Sequence, residues 1–174
     1  MGKIFTQPKI KLISGIMIRP DFDASEAFET ITRRLGPIDL QTPWFDFSHT
    51  NYYKDEFGEQ LKKQYFSLEQ LAPIDDIPDV KIWSNQVEDK YLINGRRTVN
   101  IDPGYMADAK VLMATTKNLA HRVYIGKNIF VDLQLIFRHH TFVPINWTFA
   151  DMKEPPVISF FNVEGIGRIR RRRI

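Results

Sequence analysis

The chain has 174 residues, 43% hydrophobic and 26% charged, a balance that supports a packed core and excludes a disordered polymer. It has no cysteine, which rules out disulfides, iron–sulfur clusters, thiolate zinc sites and a cysteine nucleophile. Five of its 24 basic residues, Arg168 and Arg170 to Arg173, lie in the last seven positions, leaving 19 against 21 acidic residues elsewhere, so the body lacks the basic face of a dedicated nucleic-acid binder.

Met1 to Pro8 holds no apolar run of signal-peptide length, and apolar stretches such as Ile129 to Leu133 break off far short of the roughly 20 residues that span a bilayer. A cytoplasmic protein without a membrane role is expected. Lys11 to Ile18 is a short apolar run that predicts a buried, central strand. Asp23 with Glu26 resembles a capping box, and Phe28, Ile31 and Leu35 share a helical face until Gly36-Pro37 stops the helix. Ile38 and Leu40 begin a strand that Pro43 interrupts, and Trp44, Phe45 and Phe47 continue in another phase, which predicts a bulge or an edge.

Asn51 to Gly58 is read as one helical turn, followed by a strand from about Leu61 through Tyr65, Phe66 and Leu68. Pro78 suits a first helical turn, and Val80, Trp83, Val87 and Tyr91 repeat on one face before Asn94-Gly95. Arg97 to Ile101 alternates as a strand that Asp102-Pro103-Gly104 should end. Strand, helix, strand, strand, helix, strand matches a ferredoxin-like split βαβ core, so the expected fold is α+β, with a C-terminal β-rich extension. In that extension Ala107 to Thr115 is assigned to a helix. Arg122 to Ile125 and Ile129 to Phe137 are strands turning at Gly126-Lys127-Asn128, and His139-His140 is a second turn. A helix from Pro156 should pack Val157, Phe160 and Phe161 on the core. One domain over residues 1–167 and a frayed basic tail at 168–174 are expected.

Between Arg96 and Gly126 the residues exceed what periodicity requires: Arg96-Arg97-x-Val99-Asn100-x-Asp102-Pro103-Gly104-Tyr105, then Lys110, Ala114-Thr115-Thr116-Lys117 and Ala120-His121-Arg122-x-Tyr124-x-Gly126. This region resembles domain-of-unknown-function family 4416 of bacteria and archaea, and the similarity extends through Gly36-Pro37-Ile38-Asp39, Tyr52-Tyr53-x-x-Glu56-x-Gly58 and Trp147-Thr148. The resemblance implies no activity. Some members carry a GTP-binding label by automated transfer, but this chain has neither a phosphate-cradling G-x-x-x-x-G-K-[ST] run nor a complete G-x-G-x-x-G run; Gly165-Ile166-Gly167 lacks the third glycine.

The strongest candidate site combines Asn100, Asp102, Lys110, Thr115, Thr116, Lys117, His121 and Arg122, with Arg97, Tyr124 and Trp147 as further ligand-binding candidates. Lys and Arg supply charge-assisted donors for an anion. Threonine hydroxyls can hold phosphate, Asp102 can hold a divalent cation such as magnesium, and His121 can move a proton near neutral pH. Asp102 and His121 are therefore the catalytic candidates. Each residue also has a purely structural account: a turn at Asp102-Pro103-Gly104, an element end at Thr115-Thr116, a hydrogen-bonding pair at His121-Arg122. A second cluster, Asp46, His49, Tyr52, Tyr53 and Glu56, lacks a diagnostic metal spacing, and His139-His140 points its rings to opposite faces.

The expected function is binding of a small anion, a phosphorylated metabolite or nucleotide, with metal-assisted phosphoryl transfer or hydrolysis as the accessible chemistry. The rival is a non-catalytic RNA-binding or protein-interaction module using the sheet face and the arginine tail. Oligomeric state is left open.

Overall fold

The computed structural model describes residues 2–4, 6–48, 57–107 and 109–171, with 164–171 described by backbone alone. In chain order the strands are β1 (Ile10–Ile18), β2 (Ile38–Gln41), β3 (Phe45–Phe47), β4 (Leu61–Ala72), β5 (Val99–Ala107), β6 (Lys110–Thr115), β7 (Arg122–Gly126), β8 (Ile129–Arg138) and β9 (Thr141–Pro144). The helices are α1 (Ser25–Leu35), α2 (Ile77–Lys90) and α3 (Pro155–Arg171). The strands form one nine-stranded sheet of order β2-β4-β1-β5-β6-β8-β7, with β3 also on β4 and β9 also on β8. Every pairing is antiparallel.

Both faces of the sheet are covered. Ile10, Leu12, Ile16 and Ile18 of β1 join Ala27 and Ile31 of α1 and Ile77 and Val87 of α2 in one core. Ile13 of β1, Tyr65 of β4 and Met113 of β6 face the other way, against Val157, Phe160 and Phe161 of α3. A strand buried on both sides reads as a continuous apolar run because alternate side chains reach different cores, which is why Lys11 to Ile18 shows no alternation.

Local chemistry sets the ends. Gly36 ends α1 at φ 97°, its N–H reaching the Thr32 carbonyl. At the other end Asp23 accepts the N–H and hydroxyl of Ser25 instead of forming the expected reciprocal box with Glu26. The β7–β8 turn passes through Gly126, Lys127 and Asn128, and the β8–β9 turn through His139 and His140, all at positive φ, as tight hairpins require. Val157, Phe160 and Phe161 are buried as expected, and the α3 backbone runs on to Arg171. Among the described residues no helix is long and apolar enough to cross a membrane.

Three expectations are corrected. The ferredoxin-like core with an appended extension is replaced by a single nine-stranded sheet, because β5 is an interior strand and the ladder runs on through β6 and β8 to β7. Ala107 to Thr115 is not a helix: Lys110–Thr115 is β6, whose Val111 to Ala114 are buried between the layers. Asp102-Pro103-Gly104 does not end a strand; it lies inside β5. The turn assigned to Asn51 to Gly58 falls largely outside the described residues.

A candidate functional site where two strands part

β5 and β6 are paired only from Ala107↔Lys110 to Gly104↔Met113. Beyond that point β5 continues on β1 to Val99 and β6 continues on β8 to Thr115, so the two strands fork. The sequence Pro103-Gly104 explains the position of the fork. Gly104 permits the last close rung, since a Cβ there would run into the Leu112 carbonyl oxygen and lie 2.6 Å from Met113 Sδ. Pro103 follows with no N–H to donate to the next rung. One rung further, the Ile101 N–H and C=O are satisfied by helix side chains instead: Glu88 Oε1 accepts the N–H at 2.8 Å and Lys81 Nζ donates to the carbonyl at 3.2 Å.

Lys81, Asn85 and Glu88 recur at i, i+4 and i+7 on α2 and form one wall of a cleft of about 470 Å³ with Arg97, Asn100 and Asp102. These residues are chained. Arg97 Nη1 donates to Asn100 Oδ1 at 3.0 Å, Asn100 Nδ2 to Asp102 Oδ2 at 2.7 Å, and Lys81 Nζ lies 3.1 Å from Asp102 Oδ1. Glu88 is 4% exposed. Its burial, aided by the nearby Asp102 charge, pushes its pKa up from 4.5 to about 7, although Lys81, the Ile101 N–H and Arg97 all pull the other way. Burial would raise Asp102 as well, but Lys81 foremost, then Lys63 and the hydrogen bonds from Lys81 and Asn100, hold it below the usual carboxylate range.

The second wall is Thr115, Thr116, Lys117 and Arg122, from the end of β6 and the start of β7. Arg122 is fixed from behind: its Nε lies 3.1 Å from Asp132 Oδ2 of β8, and its Nη1 donates to the Lys117 carbonyl at 3.0 Å. The third wall is Phe47, Lys63 and the 149–151 segment leading to α3. Lys63 is 7% exposed, lies 5.0 Å from the Phe47 and Tyr65 ring centres, and pairs with Asp151 Oδ2 at 2.7 Å. The Tyr65 hydroxyl donates to that same oxygen at 2.5 Å.

Seven residues singled out in the sequence, Arg97, Asn100, Asp102, Thr115, Thr116, Lys117 and Arg122, meet in this cleft. Four do not line it. Lys110 is at the opposite end of β6, paired with Ile136, and Tyr124 is exposed against Phe130. His121 directs Nε2 to Asp132 Oδ2 at 3.3 Å and stacks on Trp147, whose indole donates to the Leu133 carbonyl. His121 and Asp102 thus sit in separate networks. Among the described residues no three His, Asp or Glu side chains gather as a metal-holding group. In the second cluster Asp46 pairs with Lys62 at the surface, and His49, Tyr52, Tyr53 and Glu56 lie outside the described residues.

Sequence reasoning missed Lys63, Lys81, Glu88 and Asp151. The α2 spacing of Lys81, Asn85 and Glu88 was a usable signal, a polar stripe beside the apolar one. Lys63 and Asp151 meet across 88 positions, for which no local signal exists.

No curated protein and no solved structure matches the chain. The family model described as "Domain of unknown function (DUF4416)" matches residues 8–164, nearly the whole chain and all three walls of the cleft, and the protein belongs to that family.

Proposed function

We propose that the cleft binds a small anionic ligand. The observation that carries this reading is its charge: among the described residues five cationic side chains, Lys63, Lys81, Arg97, Lys117 and Arg122, line it against three carboxylates, Glu88, Asp102 and Asp151, and the buried Asp132 behind Arg122 leaves a surplus of one cation. Its volume lies within the range of small-molecule sites, and lysine and arginine are the donors suited to phosphate and carboxylate. Several of these charges are pre-oriented by buried partners, so ligand binding orders few side chains.

The test is a thermal-shift and calorimetric screen against inorganic phosphate, phosphorylated metabolites, nucleotides and carboxylates, with and without magnesium. A ligand at 100 times its Kd stabilises the native state by about 2.7 kcal/mol. The informative variant is Arg97→Gln with Lys117→Gln, because Arg122 also anchors a buried carboxylate and its loss would confuse binding with folding. A saturable shift that the double variant loses supports the reading. A flat screen, or a folded double variant that binds as before, overturns it. Polynucleotide binding that disappears on removing residues 168–174 would favour the macromolecular module instead.

A further inference from the structure

We infer that the ligand of this cleft is a ribonucleoside phosphate, a molecule that brings hydroxyl donors and a flat ring together with its anionic group; the inference rests on the anion-binding reading of the same site. A bare anion is a poor match to what lines the walls. Asp102 stands in the cleft with its side chain 32% exposed, Oδ1 beside Lys81 and Oδ2 holding Asn100, and each oxygen keeps acceptor capacity. An inorganic phosphate drawn to Lys81 would meet that carboxylate as a like charge. The groups Asp102 accepts are donors, and a vicinal diol can place one hydroxyl on each oxygen.

A ligand ammonium would also satisfy Asp102, but the surplus of cations around it opposes a further positive charge. Neutral hydroxyls fit both conditions. The anionic group then belongs across the fork, where Lys117 and Arg122 come from a different strand pair and the Thr115 hydroxyl lies 3.4 Å from Arg122 Nη1. Part of the lining is carbon: Phe47 and Phe149 contribute apolar surface that a hydrated anion cannot use. Two phenyl rings in one cleft favour a planar, polarisable partner. Diol, phosphate and planar ring in one small molecule describe a ribonucleoside phosphate.

The test is titration calorimetry on the full chain with adenosine 5′-monophosphate, its 2′,3′-dideoxy analogue, ribose 5-phosphate, adenosine and inorganic phosphate. Adenosine 5′-monophosphate should bind at least tenfold more tightly than each of the other four. In Asp102→Asn the preference for the ribo over the dideoxy form should fall to within about twofold, while inorganic phosphate binds more tightly because a negative charge has gone. The ligand series does not depend on that variant folding. If phosphate, ribose phosphate and the dideoxy analogue bind as well as the ribonucleotide, this inference fails and the anion reading stands. If no phosphate-bearing probe binds, this inference fails, and the anion reading fails with it when the carboxylates of the screen are flat as well.

Discussion

Glu88 gives the structure a pH-dependent stability of definite sign. Its carboxyl titrates at about 7 in the folded protein against an ordinary 4.5, so between those values the folded state holds a proton that the unfolded chain has released. Stability from this group is complete below pH 4.5 and is lost as pH rises through 7. The difference amounts to about 3 kcal/mol at roughly 1.4 kcal/mol per pH unit. Glu88→Gln replaces the carboxyl by a neutral isostere whose oxygen can still accept the Ile101 N–H. Urea denaturation of both proteins at intervals from pH 4.5 to 8.5 should show the wild type losing about 3 kcal/mol relative to the variant across that window. Asp39 and Asp102 have lowered pKa values, so their contributions are lost only as pH falls below about 3.8, outside the window. Parallel stability curves for the two proteins would refute the assignment of a buried, protonated Glu88.

The same proton should tune the cleft: phosphate affinity, measured by calorimetry, should fall between pH 6 and 8 in the wild type relative to Glu88→Gln, as Glu88 ionises beside Arg97 while the ionisation of phosphate itself is common to both proteins. Gly104→Ala should destabilise the fold by about 1–3 kcal/mol in urea titration, because the added methyl meets backbone at the last rung between β5 and β6. Arg122→Ala leaves Asp132, 0% exposed, with a buried charge lacking its guanidinium, at a cost of about 3–5 kcal/mol; adding Asp132→Asn should recover part of that in the same assay.

The parts of the fold that rest on adjacent residues were legible in the sequence. Glycine and asparagine turns at 126–128, the stop at Gly36-Pro37 and the apolar face of α1 each have a local cause, and each stands where the residues put it. The assignment of β6 to a helix failed because Val111-Leu112-Met113-Ala114 is an unbroken apolar run, and periodicity cannot separate a strand buried on both faces from a buried helix. The ferredoxin-like assignment failed with it, since a strand at 110–115 is what extends the sheet beyond β5. Asp102-Pro103-Gly104 was misread for a related reason: proline and glycine usually mark a turn, but here they sit where one interior ladder is abandoned. The candidate site was half legible. Arg97 to Arg122 are close enough in sequence for their chemistry to stand out, whereas Lys63, Lys81, Glu88 and Asp151 arrive from other elements.

An interior sheet normally cannot leave a ladder open, because each unpaired backbone group away from water costs free energy on the scale of a lost hydrogen bond. Here the cost is offset twice. Pro103 removes one donor outright, and α2 supplies Glu88 and Lys81 to Ile101, whose N–H and carbonyl thereby gain partners in place of β6. These two helix side chains are also ionisable, which puts one carboxyl and one ammonium at the base of the opening. The polar groups that make the fork tolerable are therefore among those that give it chemistry. Thr98, whose hydroxyl bonds the Tyr91 carbonyl at 2.6 Å, ties the start of β5 to the end of α2 and keeps the two in register. The cleft is accordingly a consequence of how β5, β6 and α2 satisfy their backbone, and its shape should persist whether or not a ligand occupies it.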